Sequence, residues 1–105
     1  MTRIERLCRV DEVEPGTSRR FVVGPHRICL VRIGDEFYAV GDRCSHADFS
    51  LAEGDVWPEE REIECWKHGS TFSLITGEPQ SLPATRPVPV YDVSVEGDDV
   101  MVKIS

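Results

Sequence analysis

Four side chains of the metal-binding kind fall in two short stretches, Cys44-Ser45-His46 and Cys65-Trp66-Lys67-His68, with 18 residues between them. Each stretch offers one thiolate and one imidazole. Together they use two of the four cysteines and two of the three histidines. If these donors act as one set, two loops remote in sequence must meet at one point and stay there. With 105 residues the chain fits a single domain, near the lower end of what buries a useful core unaided. A metal centre pinning the two loops would supply part of the missing stability.

The rest of the chain reads as short strands separated by turn residues, the pattern of an all-β domain. Ile4–Cys8 is a first strand, broken by Asp11–Thr17 with its Pro15-Gly16 pair. Arg20–Val23 resumes, Gly24-Pro25 turns the chain, and Arg27–Ile33 continues with β-branched and apolar residues. Gly34-Asp35 forms a hairpin turn into Glu36–Val40. Residues 42–84 change character, with more Cys, His, Trp, Gly and acids, and only Glu62–Cys65 and Ser70–Leu74 look like strands. The β pattern returns in Val88–Val95 and Asp99–Ile104 around the turn Glu96-Gly97-Asp98. Val93 and Val95 alternate with Ser94 and Glu96, as expected where one sheet face meets water. The expectation is one domain over 1–105: a β scaffold from about 1–41 and 85–105, with a metal-bearing unit of two loops inserted at about 42–84.

The longest apolar run, Ile28-Cys29-Leu30-Val31, is too short to span a bilayer. Met1–Arg6 lacks the apolar core of a signal peptide, which points to the cytoplasm, where thiols stay reduced and able to bind metal. The formal charge is −7, and its placement is uneven: between Asp42 and Pro83 nine acids face three bases, Arg43, Arg61 and Lys67. A field of that sign repels nucleic acid and steers toward a basic protein partner. The plain alternative is a solvated acidic face that keeps the protein soluble.

C-x-H followed by C-x2-H allows three readings: coincidence, a structural zinc, or a 2Fe–2S cluster with cysteines on one iron and histidines on the other. Two tight pairs of scarce residues make a poor coincidence. A Cys2His2 set suits zinc, but zinc fingers keep their cysteines together and their histidines together. Here each half-site has one of each, the arrangement of Rieske centres.

On these residues the chain resembles the Rieske-type ferredoxins, specifically the ferredoxin component of aromatic-ring-hydroxylating dioxygenase systems. The similarity runs from Cys44-Ser45-His46 and Cys65-Trp66-Lys67-His68-Gly69-Ser70 through Phe72 and Thr76-Gly77 to the loop Leu82–Pro87. The resemblance implies an antiparallel β-sandwich with an inserted cluster-binding subdomain of two ligand loops. It implies one [2Fe–2S] cluster on Cys44, His46, Cys65 and His68. Neutral imidazoles in place of two thiolates leave the oxidised core uncharged, which eases reduction and raises the potential to about −150 to +300 mV for the class. Ser70 is placed to donate a hydrogen bond to a cluster sulfur and raise the potential further. Phe72 stands where high-potential respiratory relatives have a hydrogen-bonding tyrosine. Phe49 and Lys67 stand where those relatives have a disulfide. This chain therefore resembles the low-potential soluble branch.

By the same resemblance the protein is an electron carrier and no enzyme, a monomer passing single electrons from a flavin-dependent reductase to a terminal non-haem iron oxygenase. Another redox system's small subunit, or a companion of iron–sulfur cluster assembly, fits the same residues. A zinc-stabilised interaction module fits the donors but not their order. An oxygenase would need a second iron site, and after the cluster takes its ligands only His26 is left. Elsewhere, Cys8 and Cys29 sit in strand patterns and read as buried small hydrophobes. His26 follows a turn and reads as a surface histidine, and Trp66 reads first as a packing residue. Trp57, before Pro58, suits core and surface equally.

Overall fold

The computed structural model describes residues 3–44, 49–67, 69–82 and 84–104. Nine antiparallel strands follow one another: β1 (Arg3–Arg9), β2 (Thr17–Val23), β3 (His26–Ile33), β4 (Glu36–Gly41), β5 (Asp55–Trp57), β6 (Glu62–Glu64), β7 (Thr71–Ser73), β8 (Val90–Glu96) and β9 (Asp99–Ile104). Among the described residues, 3₁₀ turns at Val10–Glu12 and Leu51–Glu53 complete the regular structure. The all-β expectation is met. β1–β9–β8–β4–β3–β2 form a six-stranded sheet and β5–β6–β7 a three-stranded one.

Three hairpins of the larger sheet close through two residues, with a glycine first in each. Gly24, Gly34 and Gly97 take φ of +58°, +60° and +63° between the pairs Val23/His26, Ile33/Glu36 and Glu96/Asp99. A two-residue turn that matches strand twist needs positive φ at that position, which glycine adopts without strain. β4 and β8 pair over only two positions, Ala39/Tyr91 and Val40/Val90, so the sheet curls there and its two halves face each other. Cys8, Val100, Val102 and Ile104 from one half share a buried cluster with Ile28, Leu30, Phe37 and Ala39 from the other.

β3 and β4 are buried on both faces, which explains the longest apolar run of the chain. Ile28 and Leu30 point into the scaffold core, whereas Cys29 and Val31 point into a second core shared with the small sheet. In β4, Phe37 and Ala39 take the first side, Tyr38 and Val40 the second. The second core adds Leu51, Ile63, Phe72, Leu74, Ala84 and Val88, so the small sheet rests on the scaffold through a continuous apolar layer. A polar tie reinforces it: Arg61 Nε donates to the Tyr38 hydroxyl at 2.9 Å, and that hydroxyl donates to Glu36. The Tyr38 hydroxyl and then Arg61 hold the Glu36 carboxyl below its ordinary range.

Several sequence expectations shift. β8 starts at Val90 rather than Val88, because Pro89 has no N–H for a ladder and Val88 bonds instead to Gly77. β5 has no counterpart in the sequence reading. Val95 is 45% exposed, so the alternation does not bury it. His26 opens β3 instead of lying in a turn; it is half-buried, its Nδ1 is 3.2 Å from the Tyr91 hydroxyl, and the rings meet edge to face. Cys8 and Cys29 are buried, one in each core, as expected of small hydrophobes, and burial pushes both thiols up. Among the described residues no helix is long and apolar enough to cross a membrane.

Candidate metal centre

Cys44 and Cys65 each begin a six-residue loop that is closed in the same way. The Cys44 N–H donates to the Phe49 carbonyl at 2.9 Å, and the Cys65 N–H donates to the Ser70 carbonyl at 2.7 Å. Beneath the first closure lies the antiparallel bridge Arg43/Ser50, and beneath the second the pair Glu64/Thr71. In the second loop Gly69, at φ +75°, returns its N–H to the Cys65 carbonyl at 3.0 Å. Cys44 and Cys65 thus start from matching backbone closures. Both cysteines are buried, 1% and 0% exposed, in the same apolar core. His46 and His68 lie outside the described residues, as do Ser45, Ala47, Asp48 and Pro83.

The first loop is anchored by an acid that the sequence reading had counted in the acidic field. Asp42 is 2% exposed. One carboxylate oxygen accepts from the Ser50 hydroxyl at 2.6 Å and the other from the Ala52 N–H at 2.9 Å. Its own carbonyl accepts from the Leu51 N–H at 2.6 Å. Asp42→Ala removes the acceptor of the Ala52 N–H and of the Ser50 hydroxyl; both donors are half-buried, so each loss costs about 1 kcal/mol, the low end of the range for a stranded donor. The variant should unfold at lower denaturant with an unchanged slope; an unshifted midpoint would show that water replaces the carboxylate at no cost.

The second loop is anchored by a third segment. Ser70 is fully buried, and its Oγ accepts the Ala84 N–H at 3.1 Å. The hydroxyl proton is left to donate, and among the described residues no acceptor takes it. The Thr71 N–H donates to Ser81 Oγ at 3.0 Å, and the Gln80 N–H donates to the Thr71 carbonyl at 2.7 Å. Farther along, the Val88 N–H donates to the Gly77 carbonyl at 2.8 Å. Gly77 has φ +76°, and a Cβ there would lie 2.1 Å from the Val88 carbonyl oxygen, so only glycine allows this approach. Leu82, at the crest of the third segment, is 78% exposed.

Across the two loops runs an aromatic contact. Phe49 meets Trp66 edge to face, with centroids 5.2 Å apart at 82°. Lys67 Nζ lies 5.8 Å from the Phe49 ring centre and 5.7 Å from that of Trp66. Where the resemblance placed a disulfide in other relatives, Phe49 and Lys67 join the loops without a covalent bond. Trp66 is 49% exposed, so it is only half packed, and Trp57, 44% exposed, belongs to the surface.

The donor set fits a thiophilic metal group. Two thiols are brought to one core from matching loops, among the described residues no disulfide joins them, and a buried hydroxyl has a proton to offer. Around them the acids are set outward: Glu53, Asp55, Glu59, Glu60 and Glu78 are exposed. Asp55 stands directly across from Glu64 on the outer face of the small sheet. Like charges facing each other there cost stability rather than add it.

Comparison with known proteins agrees with this geometry. Residues 4–92 match the family model of the Rieske [2Fe-2S] domain. The ferredoxin component of biphenyl 2,3-dioxygenase from Rhodococcus jostii (strain RHA1) is 39% identical over 101 residues, 96% of this chain and 92% of the relative. Among solved structures, the ferredoxin of carbazole 1,9a-dioxygenase from Nocardioides aromaticivorans IC177 superposes with a TM-score of 0.91 at 38% identity, covering 94% of this chain and 95% of the other. A ferredoxin in a complex of reduced oxygenase and oxidised ferredoxin of carbazole 1,9a-dioxygenase superposes at 0.86 with 39% identity, covering 94% and 91%.

Proposed function

The chain belongs to the Rieske [2Fe-2S] domain family, and from that premise we propose that it carries single electrons on one such cluster held by Cys44, His46, Cys65 and His68. The observation that supports this most directly is the pair of buried cysteines in one core, each at the start of a loop closed by its own N–H. When bound, the cluster supplies a reversible one-electron site at about −150 to +300 mV. The chain's own residues set its surroundings. Phe72, Leu74 and Val88 keep water from the thiolates, and the loop closures fix the cysteine backbones. Ser70 has its proton directed by its bond from Ala84, leaving it to donate to a cluster sulfur.

Ser70→Ala should therefore lower the reduction potential, since the hydroxyl favours the more negative, reduced state. It should also lower stability, because the Ala84 N–H loses its acceptor. Voltammetry and denaturant unfolding separate the effects: a drop in stability with an unmoved potential would assign Ser70 to loop support alone.

The electron donor in this reading is a flavin-dependent reductase and the acceptor a terminal non-haem iron oxygenase, as the ferredoxin–oxygenase complex of the carbazole system suggests. The protein works as a cytoplasmic monomer of one domain spanning 1–105. Its exposed acids face a basic surface on the partner. Single-turnover mixing of the reduced protein with such an oxygenase tests this: transfer at the rate of turnover, slowing as salt rises, is expected. No transfer to any oxygenase of the class would refute the assignment, and a salt-independent rate would refute the role of the acids.

A further inference from the structure

On the opposite charge pattern, three arginines gather in one place. A cleft of about 560 Å³ opens between the start of β3, the segment Gly41–Cys44 and residues 86–91, and Arg27, Arg43 and Arg86 line it. A chain with twelve bases and a charge of −7 thus commits three of them to a single recess. Among the described residues the one carboxylate in the lining is Asp42, and both its oxygens are engaged by Ser50 and Ala52. Tyr91, hydrogen-bonded to His26, three prolines and Val88 supply most of the remaining wall, and Cys44 borders it on the side of the metal centre.

The cleft is built before any ligand arrives. Its two sides are tied by the Gly41 N–H to the Pro89 carbonyl at 2.8 Å and by the Asp42 N–H to the Arg27 carbonyl at 3.0 Å. A Cβ on Gly41 would come within 2.8 Å of the Pro89 ring, so the walls meet as closely as glycine permits. Arg27, Arg43 and Arg86 make contacts of their own, to which a ligand adds or with which it exchanges.

We propose that this cleft binds an organic oxyanion: a carboxylate or phosphate carried on a compact apolar body. Guanidinium forks match the oxygens of both groups in paired hydrogen bonds. The volume exceeds what a bare ion needs and falls within the range of small-molecule sites, about 300–1,000 Å³. The tyrosine ring and the proline rim suit the apolar part. Elsewhere the acidic surface repels such a molecule, so the cleft is where it collects.

Isothermal titration of the cluster-loaded, full-length protein with phenyl phosphate tests the proposal by binding alone, independently of electron transfer. One saturable site is expected, with inorganic phosphate weaker and phenol giving no saturable heat. Arg86→Gln and Arg27→Gln, both exposed side chains, should each weaken binding by about tenfold, the loss of one charged hydrogen-bonded contact. Arg3→Gln, which removes the same charge from β1, should leave it unchanged. No saturable heat, or an Arg3→Gln variant as weak as Arg86→Gln, would overturn the site. Inorganic phosphate binding as tightly as phenyl phosphate would overturn the apolar half of the assignment.

Discussion

Serine at Cys44 or Cys65, or alanine at His46 or His68, should abolish the native visible spectrum of the purified protein. Each substitution takes away one of four donors to a shared centre, and three donors do not close a diiron site. For the cysteines a second loss follows. Both thiols lie in the core beneath the loops, so an unligated serine hydroxyl would be buried there without a partner. The control is Cys8→Ala: Cys8 lies in the scaffold core with Val100 and Val102, and its removal should lower stability while leaving the spectrum intact. An unchanged spectrum in any of the four ligand variants would remove that residue from the set.

Phe72→Ala should cost about 3–5 kcal/mol, the range for deleting a large aromatic side chain from a packed core. Phe72 is among the largest fully buried side chains, pairs with Ile63 across β6 and β7, and shares its cluster with both Cys44 and Cys65. The cavity would open directly below the loops, so the metal centre should become labile along with the fold. For a domain whose total stability is about 5–15 kcal/mol, that is a large share. Urea unfolding of the cluster-loaded protein measures it. A loss below about 1 kcal/mol would mean that the small sheet does not depend on this ring, and Phe72→Leu should sit between the two.

What was readable beforehand follows a physical divide. The scaffold strands were legible because apolar alternation and glycine-led turns are local signals; that β3 is buried on both faces emerged only from the two cores its residues enter. Cys44, His46, Cys65 and His68 stood out as a candidate donor set because cysteine and histidine are scarce and their spacing is chemical; of these, Cys44 and Cys65 meet in one core, while His46 and His68 lie outside the described residues. β5 was not, since Asp55-Val56-Trp57 is too short to show a period and pairs only because β6 is beside it. Asp42 looked like one more surface acid; its burial follows from the Ser50 and Ala52 donors brought to it by the loop. The loop closures at Cys44 and Cys65 are backbone bonds, which no side-chain pattern records. His26 was misplaced because its partner Tyr91 lies 65 positions away. Arg27, Arg43 and Arg86 likewise meet only once the chain has folded.

A diiron cluster held by two loops through mixed sulfur and nitrogen ligands is paramagnetic once it takes up one electron. Electron paramagnetic resonance of the dithionite-reduced protein, with iron and acid-labile sulfide counted on the same sample, tests it most directly. About two irons and two sulfides per chain are expected, with a rhombic signal of one unpaired electron that is absent when the protein is oxidised. Zinc in place of iron, or no sulfide after anaerobic reconstitution, would contradict it.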